Sequence, residues 1–436
     1  MDYTLNLTGL GRGLLGVFCI LFFGFLISRD KKHINWRLLA TGVIIHMAAA
    51  FVMFQVPVVR SGVEAVAGFF IKVIDFSDHG AAFLFGSLVT DHNSFGFIFA
   101  FHVLPTVIFF SAVSSLLYYF GILPAIVKGF AWFLSRSLKI SGAECTAAAA
   151  NIFLDQTSSP LLIKPYLAKM GKQEIFSVMV MGMSTIAGSV MMGYVAILAG
   201  DDPQLRLLYT SHFLTASILA APAGLTLARL VYPKPGIVDN SIQIHREDIG
   251  TNPMDALARG TADGLQVAMI IGAVLIVFTS LIAMGDWALE QGVGSLFGIN
   301  DWIASLSDGR YSGLNLKAIT GTLFAPVAWI IGVETHSIFQ VGELIGEKIV
   351  LNEFIAYSSL GGIIKEGALS DVRTTILTLY ALCGFASLTS MGVQVSGFSA
   401  LAPSQKGVVS RLAPLVVVVG SMTSLMSASV IGMFLG

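Results

Sequence analysis

Two stretches decide the fold: residues 143–168, AECTAAAANIFLDQTSSPLLIKPYLA, and residues 316–346, LKAITGTLFAPVAWIIGVETHSIFQVGELIG. Both are apolar, and both are too long for one clean bilayer span, which takes about 20 residues. Each is broken at its centre by polar residues: Asn151, Asp155, Gln156, Thr157 and Ser158 in the first, Glu334, Thr335, His336 and Ser337 in the second. Polar, helix-breaking sequence at membrane depth is tolerated only where protein buries it or it lines a wet cavity. The two stretches are therefore expected to be re-entrant helical hairpins, each entering and leaving on one side.

The rest of the chain supports a membrane setting. Of its 436 residues 55% are hydrophobic and only 12% charged, with a mean hydropathy of +0.81; soluble proteins carry about 25% charged residues. That excludes a soluble enzyme. Further apolar stretches fall near 9–28, 36–56, 97–120, 174–198, 207–231, 266–284, 374–398 and 412–435, giving eight spanning candidates. In 58–75, Val59, Val63, Val66, Phe70 and Val73 recur every three or four positions opposite Arg60, Glu64 and Lys72, as suits an amphipathic helix lying in the interface. The expected architecture is an all-α polytopic membrane protein with about eight transmembrane helices, two re-entrant hairpins and this interfacial helix.

A net charge of -1 leaves no positive excess for nucleic acid. Cys19, Cys145 and Cys383 lie in apolar or small-residue stretches, and neither CxxC nor HExxH occurs, so no redox pair or metal enzyme is indicated and no cofactor is expected. The N-terminal apolar segment has no basic region before it and runs into Arg29, Lys31 and Lys32, as a retained first helix would and a signal peptide would not. Placing the N-terminus outside puts most of the 25 Lys and Arg residues, among them Arg29, Lys128, Arg136 and Lys169, on the cytoplasmic side. Both termini are thus expected outside a cell (inner) membrane.

Each hairpin is followed by a helix with its own polar centre, Ser184, Thr185, Ile186, Ala187, Gly188, Ser189 after the first and Gly384, Phe385, Ala386, Ser387, Leu388, Thr389, Ser390 after the second. Ala187 with Met192 and Gly193 echoes Ala386 with Met391 and Gly392 at identical spacing. Hairpin, broken helix and intact helix, occurring twice, form an inverted internal repeat. Paired interrupted segments of this kind point to a transporter's solute site. The expected divisions are 1–140, scaffold helices with the interfacial helix; 141–232, first transport repeat; 233–310, a polar loop and a scaffold helix; and 311–436, second transport repeat.

Residues 346–357 contain Gly346, Lys348, Asn352, Glu353, Phe354, Ile355, Ala356 and Tyr357. This resembles the G-x-K-x3-N-E-F-V-A-Y signature of the concentrative nucleoside transporters. Ala149, Ala150, Asn151, Ile152 and Phe153, leading into Gln156, Thr157 and Pro160, resemble that family's first hairpin; Cys383, Gly384, Phe385 and Ala386 resemble its later broken helix. The resemblance runs along essentially the whole chain, and the compact length points to the bacterial type. It implies a homotrimer in the lipid bilayer that couples nucleoside uptake to Na+ or H+ by alternating access. It also implies a cation site from the Asn151 side chain, the Leu154 carbonyl, the Thr185 hydroxyl and the Ile186 carbonyl. By the same carry-over, Gln156 and Thr157 resemble the nucleobase contacts, Val190 and Phe385 the apolar walls, and Glu353 and Ser390 the ribose contacts.

Read without the family, Glu353 is an ionisable residue inside the membrane, functional by default, and its carboxylate can accept from two sugar hydroxyls. A salt bridge to Lys348 is the alternative. Three departures bear on the substrate: Ser158 replaces a glutamate, Ser387 an asparagine, and Asp155 a glycine. Asp155 can supply a carboxylate to the solute, relay a proton, or cap the second hairpin arm through the N–H of Thr157 or Ser158. A modified nucleoside or another polyhydroxylated solute is the alternative substrate. An intramembrane enzyme pairing Asp155 with Glu353, and a passive channel, are the rivals from other classes. At the second hairpin's tip, His336 beside Glu334 reads as a structural turn or as a pH-sensitive gate.

Overall fold

Polar side-chain caps set about half of the helix starts. In the computed structural model, which describes residues 7–96, 98–200, 202–233, 250–307, 309–369 and 371–435, Asp202 accepts from the N–H of Gln204 (2.8 Å) and Leu205 (3.1 Å) just before Pro203. Asn35, Asn252, Asn315 and Asn352 cap four further helices through their side-chain oxygens. Each cap satisfies N–H groups that the first helical turn leaves without partners.

All regular structure among the described residues is helical. Numbering helices of eight residues or more, α1 is Leu7–Leu26, α2 Trp36–Gln55, α3 Pro57–Phe85, α4 Phe99–Tyr119, α5 Ile122–Leu138, α6 Gly142–Ala150, α7 Lys172–Ser184, α8 Gly188–Ala199 and α9 Pro203–Val231. Then follow α10 Pro253–Trp287, α11 Ile299–Leu306, α12 Leu316–Ile330, α13 Ile338–Val350, α14 Glu353–Lys365, α15 Val372–Leu382, α16 Leu388–Leu401 and α17 Lys406–Ile431. Seven helical segments are long and apolar enough to cross a membrane, the segment 172–199 with its internal break among them. The stretch 374–398 is two short helices, α15 and α16, divided at 383–387, in the region where a broken centre is expected.

Three elements differ from the sequence reading. The amphipathic helix expected over 58–75 continues to Phe85, burying Ser77 and Ala81 on the same face as Phe70 and Val73. Residues 122–138, not expected as an element, form α5, which buries Leu123, Val127, Ala131, Leu134 and Leu138 along one stripe. The first hairpin is asymmetric: α6 is its first arm, while the return is a 3-10 turn at Ser159–Ile163 and one α-turn at Lys164–Leu167. Most of the polar stretch 233–254, residues 234–249 with Asp239, Arg246 and Asp248, lies outside the described residues.

Burial divides the helices into two groups. In the most apolar 18-residue windows of the spanning segments 172–199 and 203–231, 94% of residues are buried, against 11% in that of the segment beginning with α10. Helix α10 meets α4 through Gly260 and Gly264, where a Cβ would stand 2.5 Å from Ser115 Oγ and 2.8 Å from the Ile108 Cα. Small residues four apart let two helix backbones approach where lipid offers no hydrophobic drive. The two hairpin-and-break units therefore fold around α7, α8, α9 and α17, with α1, α2 and α10 presenting apolar faces outward.

Candidate functional site

The first break begins where α7 runs out of helix. Thr185 is extended (φ -117, ψ 168), and the hydroxyls of Ser184 and Thr185 donate back to the Val180 and Met181 carbonyls at 2.7 and 3.1 Å. Helix α8 restarts at Gly188, whose N–H reaches the Phe153 carbonyl of the first hairpin at 3.3 Å. That bond ties the hairpin tip to the break.

It also sets Leu154, one of the expected cation ligands, beside the break that carries two others, Thr185 and Ile186. Asn151 and Thr185 are fully buried. Asn151 Nδ2 donates to the Ala147 carbonyl (2.9 Å), and its Oδ1 accepts from Ser159 Oγ (2.8 Å), fixing which amide atom faces the tip. No backbone N–H among the described residues bonds the carbonyls of Leu154 or Ile186. Two bare carbonyls, an amide oxygen and a hydroxyl form a donor set that fits a hard monovalent cation. Ser159 adds a hydroxyl that sequence reasoning missed.

Asp155 closes the hairpin on itself. Its Oδ1 accepts from the Thr157 N–H (2.7 Å), the Thr157 hydroxyl (2.5 Å) and the Ser158 N–H (2.8 Å), and its Oδ2 from the Ser158 hydroxyl (2.9 Å). This is capping geometry, and it occupies the donor hydrogens of Thr157 and Ser158. Beside it lies a cavity of about 490 Å³ bounded by Leu154, Asp155 and Ser158 of the hairpin, Ala187 of the break, and Arg259 and Asp263 of α10.

The remaining expected residues are enclosed. Gln156, Val190, Glu353, Phe385, Ser387 and Ser390 are all buried. Asn352 caps α14 by accepting from the Ile355 N–H (3.0 Å), which sets Glu353 in the first turn, where the positive end of the helix dipole favours a carboxylate. Glu353 Oε1 accepts from the Tyr194 hydroxyl of α8 at 3.3 Å; its Oε2 has no partner. The salt bridge to Lys348 is not formed. Lys348 instead points to the second break, donating to the Ala381 and Cys383 carbonyls and to Ser424 Oγ, because α13 ends at Val350 and the chain turns before Glu353.

Ser387 caps α16, accepting from the Ser390 N–H (3.1 Å) and donating to Ser390 Oγ (2.9 Å). Between them, Thr389 Oγ1 donates to the Leu351 carbonyl at 2.7 Å, bringing this end of α16 against the strip that carries Glu353. Gln394, a residue the sequence reading did not single out, donates to the Met179 carbonyl (2.8 Å) and has an unpartnered buried Oε1. A Cβ at Gly182 would meet both Gln394 Nε2 (2.8 Å) and Gln156 Cβ (3.1 Å), so the two amides share one neighbourhood. The only signal for Gln394 is the one amide in a helix otherwise made of apolar, glycine and hydroxyl residues.

At the second hairpin's tip, Glu334 and His336 are exposed and 3.4 Å apart. His46 is buried with Nδ1 3.0 Å from the Leu219 carbonyl.

The chain is similar to known proteins along nearly its whole length. The descriptions "Na+ dependent nucleoside transporter C-terminus", "Na+ dependent nucleoside transporter N-terminus" and "Nucleoside recognition" match residues 212–432, 15–88 and 100–200. The chain is 36% identical to the transporter YutK of Bacillus subtilis, over 97% of this chain and 99% of that one. It is 34% identical to the nucleoside permease NupC of Helicobacter pylori, over 97% of each chain. The structure of CNTnw in an inward-facing substrate-bound state superposes with a TM-score of 0.87, at 37% identity and covering 98% of each chain. The chain belongs to the family of Na+-dependent concentrative nucleoside transporters, which are membrane transporters and not enzymes.

Proposed function

We propose that this protein is a symporter that carries nucleosides inward across the cell membrane by alternating access, with Na+ as the coupling ion. The observation that carries the reading is a set of buried polar atoms without partners among the described residues: Glu353 Oε2, Asn352 Nδ2, Gln156 Oε1 and Gln394 Oε1. Buried polar groups are nearly always hydrogen-bonded, so acceptors and a donor left over at two hairpins and two breaks need an explanation. A nucleoside supplies the complements, ribose hydroxyls for Glu353 and base N–H groups for the amide oxygens. Val190 and Phe385 then face the base and sugar, and Ser390 the ribose.

Na+ is preferred over H+ because the ligand set at Asn151, Leu154, Thr185 and Ile186 is made of neutral oxygens, with no group there that exchanges a proton. Asp155 is assigned the capping role, since all its hydrogen bonds stay within the hairpin tip. Ser158 and Ser387 are likewise occupied within the protein, so the site has fewer groups for discriminating bases than the family pattern. A modified nucleoside or another polyhydroxylated solute is the second reading, on that ground.

The carrying unit comprises the repeats at 141–232 and 311–436; residues 1–140 and 233–310 supply the scaffold, whose exposed apolar faces suit lipid and a homotrimer. Both termini are placed outside. The test is uptake of labelled uridine and adenosine into proteoliposomes under an imposed Na+ gradient, an imposed H+ gradient or neither, beside Glu353→Gln. Accumulation above equilibrium with Na+ alone, lost in Glu353→Gln, is expected. Equilibration without accumulation would indicate a channel, and no uptake by folded protein would turn the search to other solutes.

A further inference from the structure

The orphan carbonyls at the end of the first half-helix of each break receive different partners in the two repeats. A helix C-terminus carries partial negative charge, concentrated on carbonyls with no N–H to accept from. In the first repeat, such oxygens lie beside Thr185 and Ile186. Setting Ala187 opposite Ala386 and Met192-Gly193 opposite Met391-Gly392 places Ser184 opposite Cys383 and Thr185 opposite Gly384. Gly384 has no hydroxyl to offer an ion, and here the partner is an ammonium.

Lys348 is 1% exposed and reaches this end from the second hairpin. Its Nζ lies 3.4 Å from the Ala381 carbonyl, 3.3 Å from the Cys383 carbonyl and 3.1 Å from Ser424 Oγ, so its three N–H donors meet three oxygens. Ser424 in turn donates to the Cys383 carbonyl. Among the described residues no carboxylate forms an ion pair with Lys348. Its charge is directed at backbone oxygen, as an inorganic ion's would be.

The two ends also touch. Gly384 has φ +98, and a Cβ there would stand 2.8 Å from the Met183 carbonyl oxygen and 2.9 Å from that of Ser184, the residues just before Thr185. The group held by Lys348 thus abuts the backbone that leads into the proposed ion site, while the residues just beyond Gly384 are Phe385, Ser387 and Ser390.

We propose that Lys348 is a positioning residue, a cation built into the second broken helix where the first broken helix takes its coupling ion. This rests on the cation site proposed above. It holds Cys383 and Gly384 so that Phe385, Ser387 and Ser390 face the nucleoside whether or not the ion is bound, and it leaves one break responsive to the ion.

The test uses full-length protein carrying Lys348→Met, Lys348→Asn or Ser424→Ala, reconstituted in proteoliposomes, with uridine binding by calorimetry on the same preparations. Lys348→Met should weaken uridine binding and raise KM by about tenfold or more, as befits three acceptors losing a charged donor. Lys348→Asn, which adds an amide oxygen to the three already there, should make uptake depend more steeply on Na+ than in the unsubstituted protein. Ser424→Ala, the mildest change, should raise KM about threefold. Unaltered uridine affinity in Lys348→Met, or in Ser424→Ala where the former does not fold, overturns the positioning role. Na+ steepness unchanged in folded Lys348→Asn overturns the equivalence with an ion. Absence of Na+ activation in the unsubstituted protein would instead defeat the Na+ reading, and the binding measurements would still decide the positioning role.

Discussion

The two hairpins occupy corresponding places in the two repeats and solve the same problem by different means. The second has full-length arms, α12 and α13, brought together where Gly342 would place a Cβ 2.7 Å from the Gly321 carbonyl. Its tip is exposed, with Glu334 and His336 48% and 67% accessible. The first has one short arm and a tip full of polar groups, in which Asn151, Gln156 and Ser159 are buried and Asp155, Thr157 and Ser158 half-buried. It is held from outside by a buried ion pair, Glu144 of α6 with Arg229 of α9 at 2.6 Å, and from inside by the four hydrogen bonds to Asp155. Apolar packing suffices for a hairpin that mainly needs shape, whereas one that carries backbone carbonyls and amides into the membrane must find them partners, in its own side chains or in what it binds.

The largest expected effect follows from the ion pair. Removing one member of a buried pair leaves the other charge uncompensated, at a cost of about 3–5 kcal/mol. Glu144→Ala should therefore lower thermal stability in detergent far more than His336→Ala at the second tip. Comparable losses in both variants would mean that the first hairpin does not depend on its external tether.

A smaller loss is expected where the breaks meet. Gly384 adopts a left-handed conformation against the backbone of Met183 and Ser184, so neither side can yield to a Cβ. Gly384→Ala should cost about 2 kcal/mol or more and depress uptake, while Gly392→Ala, with nothing within 4 Å of its Cβ position, should leave both unchanged. Next comes Thr185→Val, which keeps the shape of the first break and removes one hydroxyl. A rise of about tenfold in the Na+ concentration for half-maximal uptake is expected, with uridine binding at saturating Na+ little altered. A shift in uridine affinity alone would move Thr185 from the ion site to the solute site.

Much of this was legible because the membrane narrows the possibilities. Once 143–168 and 316–346 were too polar at their centres for lipid, re-entry was the remaining option, and the shared spacing of Ala187, Met192 and Gly193 with Ala386, Met391 and Gly392 aligned the breaks. What stayed hidden has local causes. Helix α5 is too short to span and carries Lys128 and Arg136, so its apolar stripe read as loop. The amphipathic helix runs past its expected end because Phe76 and Phe83 on its outer side are also apolar and exposed, which ends the alternation that marks its start. Glu353 lies five positions after Lys348, a spacing that suggests a pair, yet the end of α13 at Val350 turns the two side chains to different partners. A backbone acceptor leaves no trace in the sequence.

The smallest effect is the most informative about Asp155, for which the sequence left three roles open. Asp155→Gly restores the residue usual in the family and removes four hydrogen bonds from the first tip. If the carboxylate only caps the turn, stability should fall by about 1 kcal/mol, because Thr157 and Ser158 lose a shared acceptor at a site that touches the 490 Å³ cavity. Uridine KM should then change by less than about threefold, since freeing the two hydroxyls alters orientation more than chemistry. A carboxylate that met the solute would give the reverse pattern, a KM shift of about tenfold or more with stability intact. A proton relay would leave both near their starting values and change the response of uptake to an imposed pH gradient. Measuring melting temperature, KM and the pH-gradient response on one preparation separates the three, and decides whether the first hairpin's tip is held by its own side chains or completed by its cargo.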